Sequence, residues 1–410
     1  MNRWTILIPA LAVLGCGGGP VEDTTADEPM ASFTQPALFE AEIGGYAHYR
    51  IPAVVVTQEG SVLVFTEARV NPGGDWGPID ILMRRSTDGG ATFDEPRKIV
   101  QVEGEIQQNP VALAQDLAKP GEVTYNNFAP IVDDDGVLHA LFCVEYARAY
   151  YTRSEDDGLT WSTPVDVTET FEAFRSDYDW RVIATGPGHG IRHSNGRLIV
   201  PTWMSDGTGG HAHRPSAVSV VYSDDKGATW HAGEIVVAHP RLKNPSETLA
   251  LELTDGRVML NIRHENPEHR RAISFSDDGA TGWSDPVYDE ELLEPICMGS
   301  LIRLSGAPKT RVLFANPHSS EPRDPDNPDG NHKRQNISVK LSYDEGDTWA
   351  VDKVVEPGVS GYSDMAVGPD GTIYLFYERG TAGERDTHTK ELSLARFNLE
   401  WLTDGADSLE

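Results

Sequence analysis

With 410 residues, 39% of them hydrophobic, the chain is long enough to bury one large core or two ordinary ones and reads as a globular protein. Its 34 basic against 64 acidic side chains leave a formal net charge of -30. So strong a negative field repels a polyanion, which argues against a nucleic-acid partner, and a small anionic ligand needs a local cluster of arginines to be attracted at all.

The chain starts MNRWTILIPALAVLGCGGG, with a cationic Arg3, an apolar run from Ile6 to Leu14 and small residues around Cys16. This is the pattern of a secretory leader, and the apolar run is too short for a permanent membrane span. VLGC resembles the bacterial lipoprotein cleavage box, which predicts a leader over 1–15, a lipid on Cys16 and no other membrane attachment. The simpler alternative is a plain cleaved leader with an incidental cysteine. From Gly17 to Gln35 the chain is rich in Gly, Pro, Thr and acids, so 16–36 is expected to be a flexible tether. The protein is then secreted or held at the cell envelope. Cys143 and Cys297 are too few for a disulfide framework and sit in apolar runs, as buried thiols do.

Beyond the tether, a strand, a tight polar turn and a second strand recur six times: IPAVVVTQEGSVLVFTEAR, APIVDDDGVLHALFCVE, HGIRHSNGRLIVPTW, TLALELTDGRVMLNIRH, SLIRLSGAPKTRVLFANP and DMAVGPDGTIYLFYER. Their starts are roughly 50 to 80 residues apart, a period that fits a four-stranded unit with loops. A second motif trails them: STDGGATF at Ser86, SEDDGLTW at Ser154, SDDKGATW at Ser223, SYDEGDTW at Ser342 and a displaced SDDGATGW at Ser276. In it the Asp carboxylate can tie down turn amides, Gly permits a positive φ and the aromatic packs beneath. It lacks the ligand spacing of a calcium loop. Six such units predict an all-β, six-bladed β-propeller over 37–410, closed by pairing of the last strand, from Glu391, with the segment from Ala37 to Glu42.

In such a ring the starts of first strands and the ends of second strands share one face. Arg50 in HYRIPAV stands at the start of a first strand, and Glu247 and Tyr362 stand just before two others. Arg69 and Arg263 end second strands. All five are expected at one mouth of the channel, and the serine-aspartate boxes on the opposite face. A guanidinium keeps its charge and needs an anion. On its own, Arg50 fits equally a salt bridge between neighbouring sheets or a ligand contact.

Together, YRIP at Arg50, the repeated boxes, EAR before GGDWG, NPSE, NIR and GYSDM resemble the bacterial exo-sialidases with Asp-box repeats, over nearly everything from Pro36 to Thr403. The resemblance implies a retaining glycoside hydrolase that removes terminal α-linked sialic acid from sialylated glycans through a tyrosyl-enzyme intermediate. It implies further that Arg50, Arg263 and Arg334 form a triad on the sugar carboxylate, Arg334 being preferred to its neighbours Arg323 and Lys333. Asp75 is then the general acid and base, Tyr362 the nucleophile, Glu247 the group that takes its proton, and Arg69 a further arginine on the carboxylate side.

The residue types suit that chemistry. Sialic acid carries a carboxylate on its anomeric carbon, so a neutral phenol approaches without the repulsion that a carboxylate nucleophile meets. A free phenol is a weak nucleophile near neutral pH, and a neighbouring carboxylate must remove its proton. One carboxyl group can protonate the leaving alcohol and later deprotonate water. No cofactor or metal is expected: His189, His193, His211 and His213 lack zinc spacing. Trp76 and Trp203 either border the sugar or pack within the ring. Two alternatives remain, a non-catalytic sialoglycan-binding propeller and an enzyme for another acidic sugar.

Overall fold

The computed structural model describes residues 1, 30–208, 210–304, 309–383 and 387–409; Cys16, the leader and most of the tether lie outside them. The chain divides into Met1–Met30 and Ala31–Glu410, and the second unit carries the fold. Its first two long strands show why the apolar runs fold as they do. His48–Val56 and Val62–Arg69 are buried almost end to end, because strands covered on both faces need no polar alternation.

The six strand pairs seen in the sequence are antiparallel hairpins. The described strands, however, are joined by hydrogen bonds into five sheets, which corrects the six-bladed expectation. Three sheets have four strands: one built from His48–Val56 to Arg97–Lys98, one from Tyr125–Val132 to Val165–Asp166, and one from Thr248–Glu252 to Val287–Leu293. A fourth, with six strands, centres on Leu198–Ser205 and Ser216–Ser223. The fifth has eight strands. Its cause is Val351–Val367, a 17-residue strand whose first half pairs with Gln335–Ser342 and whose second half pairs with Ile373–Thr381. The fifth and sixth sequence units therefore share one sheet. The result is an all-β, antiparallel, propeller-like fold without six separate four-stranded sheets.

Ala37–Glu40 and Phe33–Thr34 both pair with the last long strand, Thr389–Phe397, so the first and last described strands meet in one sheet. The boxes are self-contained turns at the ends of third strands. In one, Ser223 Oγ donates to Asp225 Oδ1 (2.8 Å) and accepts from Gly227 N (2.8 Å), while Asp225 accepts from Thr229 N (2.8 Å) and Thr229 Oγ1 (2.6 Å). The boxes at Ser86, Ser154 and Ser342 repeat these bonds.

The inner strands open onto a cavity at each end. The starts of His48–Val56 and the Tyr362 segment line one of about 370 Å³. The ends of the same strands, Val54 to Val56 and Met365 to Val367, line another of about 530 Å³.

Candidate active site

Arg50, Arg69, Asp75, Glu247, Arg263, Arg334 and Tyr362 all line the 370 Å³ cavity. They come from distant parts of the chain, and local irregularities aim them. The pairing of His48–Val56 with Val62–Arg69 slips between Arg50 and Ala53, where Ile51 adopts φ +58°. A second slip between Ser360 and Ser363 surrounds Tyr362. Bulges of this kind bend a strand and re-aim its side chains.

A residue that the sequence reading did not single out joins the two bulges. The buried Glu378 accepts from Ile51 N (3.2 Å) and Tyr362 N (3.1 Å), and from Arg50 Nε (2.9 Å) and Nη2 (3.3 Å). Arg50 therefore does both things considered for it: it closes one sheet onto another and faces the cavity. Glu67 plays a parallel part, accepting from Arg69 Nη2 (2.6 Å) and from Asn127 N (2.9 Å), where the next inner strand bulges. Glu67 and Glu378 occupy corresponding places in VLVFTEAR and IYLFYER, near the ends of second strands, and this recurrence was the available signal.

Tyr362 is buried, and its hydroxyl donates to Glu247 Oε1. Arg263 Nη1 donates to Glu247 Oε2 and to the Tyr362 hydroxyl, the latter at 2.6 Å. Three guanidiniums surround the phenol ring, with Arg50, Arg334 and Arg263 at 4.8, 5.1 and 5.9 Å from its centroid. Arg334 also donates to Ile296 O (2.7 Å). Burial, the largest influence, raises the Tyr362 pKa; Arg263 pulls it down and Glu247 pushes it up, and the net direction is upward. The phenol is therefore neutral at rest.

Asp75 faces this group from the GGDWG loop. Its Oδ1 accepts from Arg69 Nη1 at 2.9 Å and lies 3.7 Å from Arg50 Nη1. Burial would raise its pKa, but Arg69 and Arg50 outweigh it and hold the carboxyl well below the usual range. Gly73 has φ +151°, and a Cβ there would meet His388 Nε2 at 3.0 Å, so glycine lets the His388 ring pack on the loop.

The cavity wall includes Trp203, His211 and His213, with Trp76 buried behind it against Tyr146. Burial, chiefly, holds His213 down at about 4 and His48 at about 3, so both rings are neutral near pH 7. Among the described residues, five buried atoms of the lining have no hydrogen-bond partner: Arg263 Nε, Arg334 Nε, Trp203 Nε1, His48 Nε2 and His213 Nε2. Arg323, the alternative to Arg334, also reaches the cavity. His189 and His193 do not; they bond to Asp364 and to Gly256 O.

Repeated box turns on a ring of antiparallel sheets, with an arginine-lined mouth, define a propeller-type BNR-repeat protein. The BNR repeat-like domain family matches residues 122–375. Among curated proteins, a sialidase of Micromonospora viridifaciens is 31% identical over 429 aligned residues, covering 97% of this chain and 59% of that protein. A Bacteroides fragilis sialidase is 28% identical over 358 residues, covering 82% of this chain and 61% of that protein. The chain thus spans about three fifths of the length of these two relatives. Of solved structures, the Hadza microbial sialidase Hz136 superposes with a TM-score of 0.71 at 24% identity, covering 90% of this chain and 69% of that one. Trypanosoma rangeli sialidase with the inhibitor DANA gives 0.69 at 18% identity, covering 92% and 62%. The chain belongs to the BNR-repeat sialidase family.

Proposed function

We propose that the protein is a retaining exo-α-sialidase, releasing terminal sialic acid from sialylated glycans, with a catalytic domain over 37–410 that works outside the cytoplasm at the end of the Cys16 tether. The observation that carries this reading is the Tyr362 hydroxyl held on a Glu247 carboxylate inside a ring of three guanidiniums. The likeness to sialidases over almost the whole chain supports it.

In the proposed reaction Arg50, Arg263 and Arg334 take the sugar carboxylate by charge-assisted hydrogen bonds and set the anomeric carbon beside the phenol. Tyr362 Oη attacks that carbon as Glu247 accepts its proton, and the bond to the leaving oxygen breaks as Asp75 protonates it. In the second half Asp75 takes a proton from water, the water oxygen bonds to the anomeric carbon and Tyr362 departs with the proton from Glu247. Two inversions give retention. The resting contacts of Asp75 fit this sequence: once the substrate carboxylate occupies Arg50, Asp75 loses part of the positive field that keeps it ionised, and its affinity for the catalytic proton rises.

The test is hydrolysis of a fluorogenic α-sialoside, with the anomer of the first product read by NMR. Wild type should turn over with retention, and Tyr362→Phe should lower kcat/KM by about 10³-fold or more while the fold stays intact. Tight binding without turnover would favour the non-catalytic reading, and preference for a deaminated sialic acid or a uronate in competition would favour another acidic sugar.

A further inference from the structure

Two residues beyond Tyr362 on the same strand lies Asp364, a carboxylate with no exposed surface. It takes no part in the chemistry proposed above, yet it draws donors from three other places around the ring. Its Oδ2 accepts from Val54 N (2.9 Å), on the strand that carries Arg50. Its Oδ1 accepts from Ser300 Oγ (3.0 Å) and pairs with His189 Nδ1 (2.7 Å). Ser300 Oγ returns to the same strand by accepting from Met365 N (2.8 Å). The loop bearing His189 comes this close because Gly188 has no side chain: a Cβ there would lie 2.6 Å from Met298 Cε and 3.5 Å from Asp364 Oδ1.

Burying a carboxylate is expensive unless it is hydrogen-bonded and paired, and Asp364 meets this with three partners outside the regular sheet ladder. Tyr362 stands where that ladder slips, so sheet pairing alone does not fix it. Its strand is instead gripped at two points, by Glu378 at the Tyr362 amide and by Asp364 two residues on. His189 borders the 530 Å³ cavity at the far end of the channel, not the catalytic one. The charged group that faces it is Asp364; Arg192 and Arg303, which line the same cavity, are paired with Asp134 and Glu345. Burial lowers the affinity of His189 for its second proton, but Asp364 more than restores it, which favours an ion pair.

We propose that Asp364, with Ser300 and His189 as its partners, is the positioning residue for the nucleophile: it pins the inner strand to the channel axis so that the Tyr362 hydroxyl meets Glu247 and Arg263. This rests on the sialidase reading for its kinetic consequence. Misplacing a nucleophile by about 1 Å can cost as much as 10²-fold in rate while leaving substrate contacts in place.

The experiment uses the full chain with Asp364→Asn, Ser300→Ala, His189→Asn and His189→Ala, assayed on the fluorogenic sialoside well below each variant's Tm, beside a crystal structure of Asp364→Asn. Asp364→Asn keeps the shape and loses the charge; we expect kcat to fall roughly tenfold or more with KM within about twofold, and Ser300→Ala to fall less, in the same pattern. His189→Asn, which can still donate to Asp364, should retain more activity than His189→Ala. In the crystal the Tyr362 hydroxyl should leave Glu247. Variants with wild-type kcat, or a change confined to Tm, would overturn the proposal, as would a Tyr362 hydroxyl that stays on Glu247. Should Asp364→Asn not fold, Ser300→Ala decides by the same measurements. A wild type without turnover would refute the sialidase reading separately, and the crystallographic comparison would still decide this one.

Discussion

The box turns and the arginine-lined mouth handle polarity in opposite ways. In each of the four regular boxes the serine, aspartate, glycine and threonine satisfy one another within seven residues, from Ser86 to Thr92 in the first. At the mouth, residues hundreds of positions apart are forced together: Arg50 reaches Glu378 across 328 positions, and Tyr362 reaches Glu247 across 115. The contrast separates two uses of polar groups. Local closure stabilises a turn wherever it is repeated, whereas distant convergence gathers charged groups around a cavity.

The largest test of this contrast is at Glu247. Glu247→Gln preserves volume and a hydrogen bond to Tyr362 but removes the proposed base, so kcat on an aryl sialoside should drop by about 10² to 10³-fold, with little change in Tm. An unchanged kcat would mean that the mouth does not work as assigned.

Next in size is the effect of pH. To act as the proposed acid Asp75 must be protonated, and in the free protein Arg69 and Arg50 depress its pKa against the opposing effect of burial. A depressed group loses its proton at lower pH, so kcat/KM, which reports the free enzyme, should decline with rising pH before kcat does. Superimposable profiles would show that substrate leaves the surroundings of Asp75 unchanged. The smallest kinetic effect belongs to the boxes. Ser223→Ala strands the buried Gly227 amide and should cost about 1–2 kcal/mol in denaturant unfolding, with kcat within about twofold of wild type.

Much of this was legible in the sequence, for a physical reason. Strand pairs and boxes are local patterns, and the end of a strand at which a residue sits fixes the face it occupies. Arg50, Arg69, Glu247, Arg263 and Tyr362 could therefore be assigned to one mouth, and the structure brings them to one cavity. The merging of the last two units was hidden. A Pro-Gly pair, Pro357 and Gly358, ordinarily interrupts a strand, but here a bulge absorbs it, with Asn336 Oδ1 accepting from Gly358 N at 3.2 Å. Glu378 was hidden as well. A glutamate at a strand end is unremarkable until the ring lays it across Arg50 and the amide of Tyr362. The neutral histidines of the cavity, His48 and His213, owe their state to burial and to neighbours that no spacing records.

The uninterrupted run from Val351 to Val367 has a mechanical corollary. Rings of separate sheets can gape at any seam, but the seam beside Tyr362 is crossed by one unbroken strand. Thermal breathing is thereby diverted to the other junctions, and amide hydrogens flanking Tyr362 should be among the slowest in the chain to exchange with deuterated solvent. In the proposed reaction, the residue that must hold an attacking atom still lies on that continuous strand.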